Sequence, residues 1–185
     1  MKFLLISLII IFSCSSLVAQ DIQHHNKIAG GIEFRYLDAI GINIDKLGGQ
    51  SSSGTYGKSL RFCLGYLFSP QLYAGISVGA DRYEGFSSNT FPLCLTSKYY
   101  IKDSKNTFFV FGEAGPNIKF SDAQNRGYTS ILGLGYKFNV LKKTSLSALL
   151  GYNYERSMFV NVQEDDPWGN YISRKSILIG LGINF

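Results

Sequence analysis

The chain has 185 residues with a formal net charge of +5, and only 17% of them are charged, while Gly (20), Tyr (12) and Phe (14) are abundant. Low charge with many glycines and aromatics suits a β-barrel in a membrane. No run of about 20 apolar residues follows the amino terminus, which excludes membrane-spanning helices. The basic residues are scattered along an exported chain, so nucleic acid is excluded as a partner.

The amino terminus has the pattern of a secretory signal. Lys2 precedes a purely apolar segment, and small residues follow up to Ala19. We expect cleavage after Ala19, which divides the chain into a signal peptide (1–19) and one mature domain (20–185). The alternative is a lipoprotein signal in which Cys14 is acylated, and this would add a lipid anchor.

The mature chain alternates between large apolar and small or polar residues in eight segments. They cover residues 27–44, 58–68, 72–83, 90–101, 107–120, 127–140, 145–158 and 171–185. Each is at least as long as the ~9–11 residues with which a tilted strand crosses a bilayer. In the last segment, every second residue from Ile177 to Phe185 is large and apolar. Such strands predict a barrel with lipid outside and polar groups inside.

The links between the segments are alternately short and long. The short links are polar turns at residues 69–71, 102–106 and 141–144, and the long links cover residues 45–57, 84–89, 121–126 and 159–170. Outer-membrane barrels have short periplasmic turns and long external loops. We therefore predict an all-β fold, an eight-stranded antiparallel up-and-down transmembrane β-barrel with both chain ends on the periplasmic side.

Aromatic residues cluster near both ends of the segments. Those at the short-turn end are Tyr66, Phe68, Tyr99, Phe108, Tyr136, Phe138 and Phe185, and those toward the long loops are Tyr36, Phe91, Tyr128, Tyr152 and Tyr154. Two aromatic belts, one at each membrane interface, are the expected arrangement.

Charged residues fall mainly in the opposite, lumen-facing phase of the alternation. They are Glu33, Arg35, Arg61, Asp81, Lys98, Glu113, Lys137, Glu155 and Arg174. The acids and bases nearly balance, and the interior of an eight-stranded barrel is just wide enough to be filled by side chains. Because unpaired buried charge is costly, we expect a charge network that plugs the barrel. The alternative is a narrow ion path.

Four positions depart from the alternation. Phe109 and Phe111 fall on the lumen side of the fifth segment, and Asp38 falls on the lipid side of the first. Pro116 interrupts the fifth segment and predicts a bulge or a shifted register there.

Two cysteines, Cys63 and Cys94, fall in the lumen phase of the second and fourth segments. One strand lies between them, so their Cα atoms would be roughly 10 Å apart. A disulfide requires less than about 7 Å. We therefore expect two buried free thiols.

The signal peptide, the eight segments, the loop asymmetry and the final aromatic residue resemble the small outer-membrane β-barrels of the OmpA transmembrane-domain and OmpX type. The resemblance covers the whole mature chain, as a pattern rather than a sequence motif. It implies a porin-like protein of a Gram-negative outer membrane, in contact with outer-membrane lipid and lipopolysaccharide. It also implies that Leu181, Ile183 and Phe185 form the signal read by the barrel-assembly machinery.

No catalytic, cofactor-binding or metal-binding site is predicted. His24 and His25 lie at the periplasmic start of the mature chain, whereas a lipid-modifying barrel enzyme needs its base near the outer leaflet. The acidic residues 164–166 are interpreted as a solvated loop rather than a Ca²⁺ site. Two function classes remain. One is a non-enzymatic barrel that is structural or contacts surfaces or partner proteins through its loops, and the other is a small-solute channel or binding barrel. A soluble lipocalin-like barrel is a third, less favoured alternative.

Overall fold

The computed structural model describes residues 28–44, 50–51, 55–84, 88–118, 126–141, 144–158 and 171–185. Eight long strands form there: β1 (Ile28–Ile44), β2 (Tyr56–Leu67), β3 (Leu72–Tyr83), β4 (Leu93–Tyr100), β5 (Thr107–Asn117), β6 (Gly127–Asn139), β7 (Ser145–Met158) and β8 (Tyr171–Asn184). Two short strands, Gln50–Ser51 and Ser88–Thr90, pair with β1 and β3. These ranges contain no helix with the length and apolar character needed to span a membrane.

The sheet is closed and antiparallel throughout. Each long strand pairs with its neighbours in sequence, and β8 pairs with β1. The predicted eight-stranded up-and-down barrel is therefore confirmed. A closed sheet also leaves no long edge strand on which another chain could pair.

The strands are staggered as closure requires. The stagger appears when directly opposed residues are followed once around the barrel from Thr107 on β5. This path returns to β5 at Asn117, ten residues further along the strand. The residues on the path are Lys137, Ser147, Gly182, Glu33, Arg61, Gly79 and Pro92. This stagger corresponds to strands tilted by about 40° from the barrel axis. Because of the tilt, residues that are neighbours around the wall lie at different depths.

The observed strand bounds follow the sequence pattern closely. β3 and β7 coincide with their predicted segments, and most other strands differ by one to three residues. The fourth segment differs most, because Phe91 and Pro92 separate the short strand Ser88–Thr90 from β4. Proline has no N–H to donate to the ladder. The short strand Ser88–Thr90 and β4 nevertheless pair with β3 in one continuous register.

The predicted bulge at Pro116 is wrong. Pro116 opposes Tyr128 in the same register as the rest of β5. On the other side, the ladder with β4 stops at Ala114 and returns as a single bridge at Asn117 in unchanged register. The missing N–H therefore interrupts hydrogen bonding without changing which residues are opposed.

A bulge does occur in β1, where the register shifts between Ala39 and Gly41. Asp38 immediately precedes it, opposite Ile177 and Tyr56, and its side chain is exposed on the outer wall. The outward placement of Asp38 agrees with its phase in the sequence. The bulge then moves Ile42, four residues later, into the interior.

Large apolar side chains cover the outer wall. Leu95 is 73% exposed, Leu181 69% and Leu132 66%. Side chains of the other phase, including most of the charged ones, are buried. A soluble barrel has the reverse arrangement, so the lipocalin-like alternative does not describe this fold. An apolar outer wall of this extent requires hydrocarbon around it.

Aromatic side chains border this apolar wall at both ends. At the short-turn end, ring centroids are 5.2 Å apart for Tyr66–Phe68, 4.6 Å for Phe108–Tyr136 and 4.5 Å for Tyr136–Phe138. At the long-link end they are 5.8 Å apart for both Tyr36–Tyr56 and Tyr128–Tyr154. The two groups lie where the aromatic belts are predicted.

The charged interior as the candidate functional site

The interior brings together most of the charged residues singled out by the sequence. Eight of them are at most 4% exposed: Glu33, Arg35, Arg61, Asp81, Lys98, Glu113, Glu155 and Arg174. The ninth, Lys137, is half-buried near the short-turn end, with its Nζ 4.7 Å from the centre of the Tyr100 ring. The eight form two groups. We call Glu33, Arg35, Arg61, Asp81, Lys98 and Glu113 the central cluster, and Glu155 and Arg174 with their hydrogen-bond partners the upper cluster.

Arg35 connects opposite walls of the barrel. Its guanidinium donates to both carboxylate oxygens of Glu113, with Nη1 3.0 Å from Oε2. It also donates to Oε2 of Glu33, from Nε at 3.1 Å and from Nη2 at 2.5 Å. Arg35 lies on β1 and Glu113 on β5, four strands away in either direction around the wall. The Arg35–Glu113 ion pair therefore crosses the lumen.

Two further bases complete the central cluster. Lys98 on β4 donates from Nζ to Oε1 of Glu33 on β1, at 2.7 Å. Arg61 donates to both oxygens of Asp81 on the neighbouring strand, with Nη2 2.8 Å from Oδ2, and its Nε lies 3.8 Å from Oε2 of Glu113. The cluster thus contains three acids and three bases. Burial of these charges is tolerable because each is paired and hydrogen-bonded.

The upper cluster lies nearer the long links. Glu155 Oε1 accepts from Ser157 Oγ at 2.5 Å and from Asn117 Nδ2 at 3.4 Å, and its Oε2 is 3.5 Å from Arg174 Nη1. The guanidinium carbon of Arg174, on β8, lies 3.9 Å from the centre of the Tyr83 ring on β3. This cation–π contact crosses the lumen a second time.

One side of the interior is apolar, a feature that the sequence predicts only in part. Phe109 and Phe111 are buried as expected, each 1% exposed. They belong to a cluster that also contains Leu37, Tyr83, Ile131, Leu149 and Leu178. Most of its members lie on β5 to β8, whereas the central cluster lies on β1 to β5. The sequence does indicate this apolar side, because Ile131 and Leu149 fall in the lumen phase of their strands.

Two glycines on β6 make room for the phenylalanine rings. A Cβ at Gly135 would lie 2.2 Å from the nearest ring carbon of Phe109, and one at Gly133 would lie 2.6 Å from the ring of Phe111. Real contacts of this kind do not occur at such distances, so the rings require glycine beside them.

Substitution of alanine at Gly135 is expected to destabilise the barrel by about 1–3 kcal/mol, because the added methyl group overlaps the Phe109 ring. The measurement is urea unfolding of the full chain in detergent micelles. Gly112→Ala is the matched control, since a Cβ at Gly112 would meet no atom closer than 3.8 Å. Equal stability of the two variants would contradict this packing.

The two cysteines are buried and free, as predicted. Cys63 and Cys94 oppose Ser77 from its two sides, so β3 separates them. Glu33, Cys63 and Glu113 place ligand atoms within 4.8 Å of one another, a spacing that could suit a metal ion. Both carboxylates, however, already accept from Arg35. The arginine therefore supplies the positive charge at this position.

Alkylation without a reductant is expected to label Cys63 and Cys94 only after the barrel is unfolded, because both thiols are enclosed by the wall. Mass spectrometry of the folded and the urea-unfolded chain measures this. We expect both sites to be modified in the unfolded sample and neither in the folded one. Recovery of a peptide with Cys63 linked to Cys94 would show that the register is different.

The remaining predicted features divide into two groups. The signal peptide, Cys14, His24, His25 and residues 164–166 lie outside the described residues. The proposed assembly signal is described: Leu181, Ile183 and Phe185 are all exposed on the outer wall. The main chain of Phe185 also closes the sheet, since its N and O each lie 2.9 Å from their partners on Gly30. The role of these three residues in assembly stays a prediction.

Comparison with known proteins finds a likeness in fold. No protein family and no curated protein matches the sequence. Among solved structures, Neisserial surface protein A is 15% identical and superposes with a TM-score of 0.56, over 86% of this chain and 96% of that chain. OprG, an outer membrane protein of Pseudomonas aeruginosa, has a TM-score of 0.43 at 15% identity, over 89% and 99% of the two chains. KdgM porin has 0.34 at 13% identity, over 84% and 98%. The chain therefore has the fold of a small outer-membrane β-barrel.

Proposed function

We propose that this chain is an integral protein of the cell outer membrane that acts without catalysis. Its lumen is closed, and its role is structural or is exerted through contacts of its external loops with surfaces or partner proteins. The single observation that carries this proposal is the central cluster, in which paired charges cross the lumen inside an apolar outer wall. The fold shared with Neisserial surface protein A supports the membrane location.

The outer wall supports the membrane location. Side chains such as Leu95 and Leu132 would be in contact with water in a soluble protein, which is unfavourable for a continuous apolar surface. Aromatic belts border this surface at both ends, as in proteins that span an outer membrane. In this location the long links face the exterior, and outer-membrane lipid and lipopolysaccharide surround the wall. Assembly proceeds through the barrel-assembly machinery, which binds the segment ending at Phe185.

The central cluster supports a closed lumen. The interior of an eight-stranded barrel is about as wide as the side chains that fill it. Arg35 and Glu113 meet across it, and Lys98 reaches Glu33 from a third direction. An open water-filled path would require these ion pairs to separate. Each separation leaves a buried charge without its partner, which is strongly unfavourable.

A binding barrel for a small polar solute is the second candidate, and one observation favours it. In the described part of the chain, Ser59 Oγ, Asn153 Nδ2 and Ser176 Oγ are buried without a hydrogen-bond partner. Buried polar atoms normally have a partner, so these positions call for ordered water or a polar solute. A solute held there would still be separated from the short-turn end by Arg35 and Lys98.

Planar-bilayer recording of the purified mature chain tests the closed lumen. We expect no steady single-channel conductance above that of the lipid alone, because the central cluster occupies the cross-section. A large and steady conductance would refute the closed lumen. Membrane location is tested separately by cell fractionation, where recovery of the chain in the soluble periplasm would reject it.

A further inference from the structure

A group of cations and tyrosines lies on the outer wall at the long-link end of β6 to β8. It contains Arg126, Tyr128, Tyr154, Arg156, Tyr171 and Lys175, and we call it the tyrosine–cation patch. The register brings its members together, because Arg156 opposes Tyr128 and Lys175 opposes Tyr154. Arg126 immediately precedes β6. The patch therefore consists of residues from three adjacent strands.

Ring contacts hold part of the patch in place, and two of its three charges stay accessible. The rings of Tyr128 and Tyr154 are 5.8 Å apart, and the guanidinium carbon of Arg156 lies 4.4 Å from the centre of the Tyr171 ring. Lys175 and Arg126 are exposed, and Tyr128 is 44% exposed. Hydroxyl, ammonium and guanidinium donors thus lie together on one surface.

The patch is positive because its three bases, Arg126, Arg156 and Lys175, outnumber the described carboxylate beside them, the exposed Asp38, which lies on β1 opposite Ile177. Glu155 lies on β7 as well, but its side chain points into the lumen and pairs with Arg174. The other basic pair at this level differs, since Arg82 beside Lys58 is 3.5 Å from the carboxylate of Glu84. Among the described residues, a net positive charge is therefore concentrated on β6 to β8.

The depth of the patch matches that of lipid headgroups. On β7 and β8 it directly adjoins the exposed residues Tyr152 and Ile177 of the wall, and on the outer face of β6 only Ser130 separates Tyr128 from Leu132. Hydrocarbon ends at this level and the charged headgroups begin. Any phosphate carried by an outer-leaflet lipid lies at the same level.

We propose that the tyrosine–cation patch binds the phosphate groups of anionic lipids in the outer leaflet. This inference rests on the proposed membrane location. Arginine and lysine donate charge-assisted hydrogen bonds to phosphate oxygens, and the tyrosine hydroxyls add neutral ones. Each basic residue near an anionic membrane surface strengthens binding about fivefold. Arg126 and Lys175 together therefore contribute about 25-fold.

The test compares two double variants of the mature chain in detergent micelles that contain diphosphoryl lipid A. Arg126→Gln/Lys175→Gln removes two charges of the patch. Lys102→Gln/Lys105→Gln removes two exposed charges at the short-turn end and is the matched control. Native mass spectrometry over a lipid titration measures the lipid that stays bound. The patch variant should need about 25-fold more lipid A to reach the same occupancy. The control should bind as the unsubstituted chain does, and dephosphorylated lipid A should bind all three chains equally weakly.

Four outcomes would overturn the proposal. Equal losses in the two double variants would show that only total charge matters, and unchanged binding in the patch variant would show that the patch is not involved. Displacement of lipid A by millimolar inorganic phosphate would identify a site for the free anion rather than for a lipid headgroup. Folding of each variant is checked by gel electrophoresis, in which a folded barrel migrates differently in unboiled and boiled samples. A folded chain that inserts into micelles but does not prefer the phosphorylated lipid refutes the patch alone, whereas a chain that stays soluble refutes the membrane location.

Discussion

Arg35→Met is expected to destabilise the barrel by about 3–5 kcal/mol, because it leaves buried carboxylate charge without its partner. Glu33 keeps Lys98, but Glu113 keeps only the distant Nε of Arg61 and the hydroxyl of Ser77. The loss of stability is measured by urea unfolding in lipid vesicles, with far-UV circular dichroism reporting the strand content.

The matched control for this variant removes both members of the pair. Arg35→Met/Glu113→Met leaves the Lys98–Glu33 and Arg61–Asp81 pairs complete, so the cluster remains neutral. Methionine is an unbranched, uncharged side chain that fills much of the space left by Arg35 and Glu113. We expect this double variant to recover most of the lost stability, as replacement of a buried ion pair by apolar residues often does. A double variant as unstable as Arg35→Met would show that packing, and not charge, is what Arg35 provides.

Leu95→Arg is expected to destabilise the barrel in a bilayer by about 2–4 kcal/mol, because it places a charge in the hydrocarbon near the middle of the wall. Leu95 opposes Ile76 and Ala114, and all three side chains lie on the outer face. Urea unfolding in phosphatidylcholine vesicles measures the change.

Leu72→Arg is the control for depth. Leu72 is also outward-facing, but it begins β3 next to a short turn and opposes Tyr99 of the aromatic belt. There the arginine can reach the interface, and the expected cost is only about 0–1 kcal/mol. Equal costs at the two positions would indicate that the outer wall does not contact hydrocarbon.

The period-two alternation was sufficient to predict the fold. It identified eight strands, and it assigned the charged side chains from Glu33 to Arg174 to the lumen phase. The long and short links then indicated an up-and-down order. Sequence spacing was informative here because neighbouring strands in the chain are also neighbours in the sheet.

The alternation could not identify which interior charges are paired. A phase assigns a side chain to one face of the wall, but partners across the lumen depend on strand tilt and stagger. Arg35 and Glu113 are 78 residues apart, and only the closed register brings them together. The same limit applies to Lys98 and Glu33, which meet from strands that are not adjacent.

The irregularities were harder to locate than the strands. Pro116 was expected to shift the register, but proline removes a hydrogen bond and leaves the opposed pairs unchanged. The bulge instead lies beside Gly41 in β1, where a single glycine among strand residues gave only a weak signal. The apolar side of the lumen was predicted only in part, because Ile131 and Leu149 are each the one large apolar residue among small and polar residues in the lumen phase of their strands.

The Arg35–Glu113 contact ties the electrostatics of the barrel to the order in which it forms. In an open sheet of eight strands, β1 and β5 are far apart. The Arg35 guanidinium and the Glu113 carboxylate then cannot form their ion pair. Pairing of β8 with β1 removes the two free edges of the sheet, and the same step brings Arg35 and Glu113 together. Stabilisation is therefore concentrated in the final seam, and partly closed forms gain little of it. Such coupling favours all-or-none folding, in which a barrel is either complete or fully open.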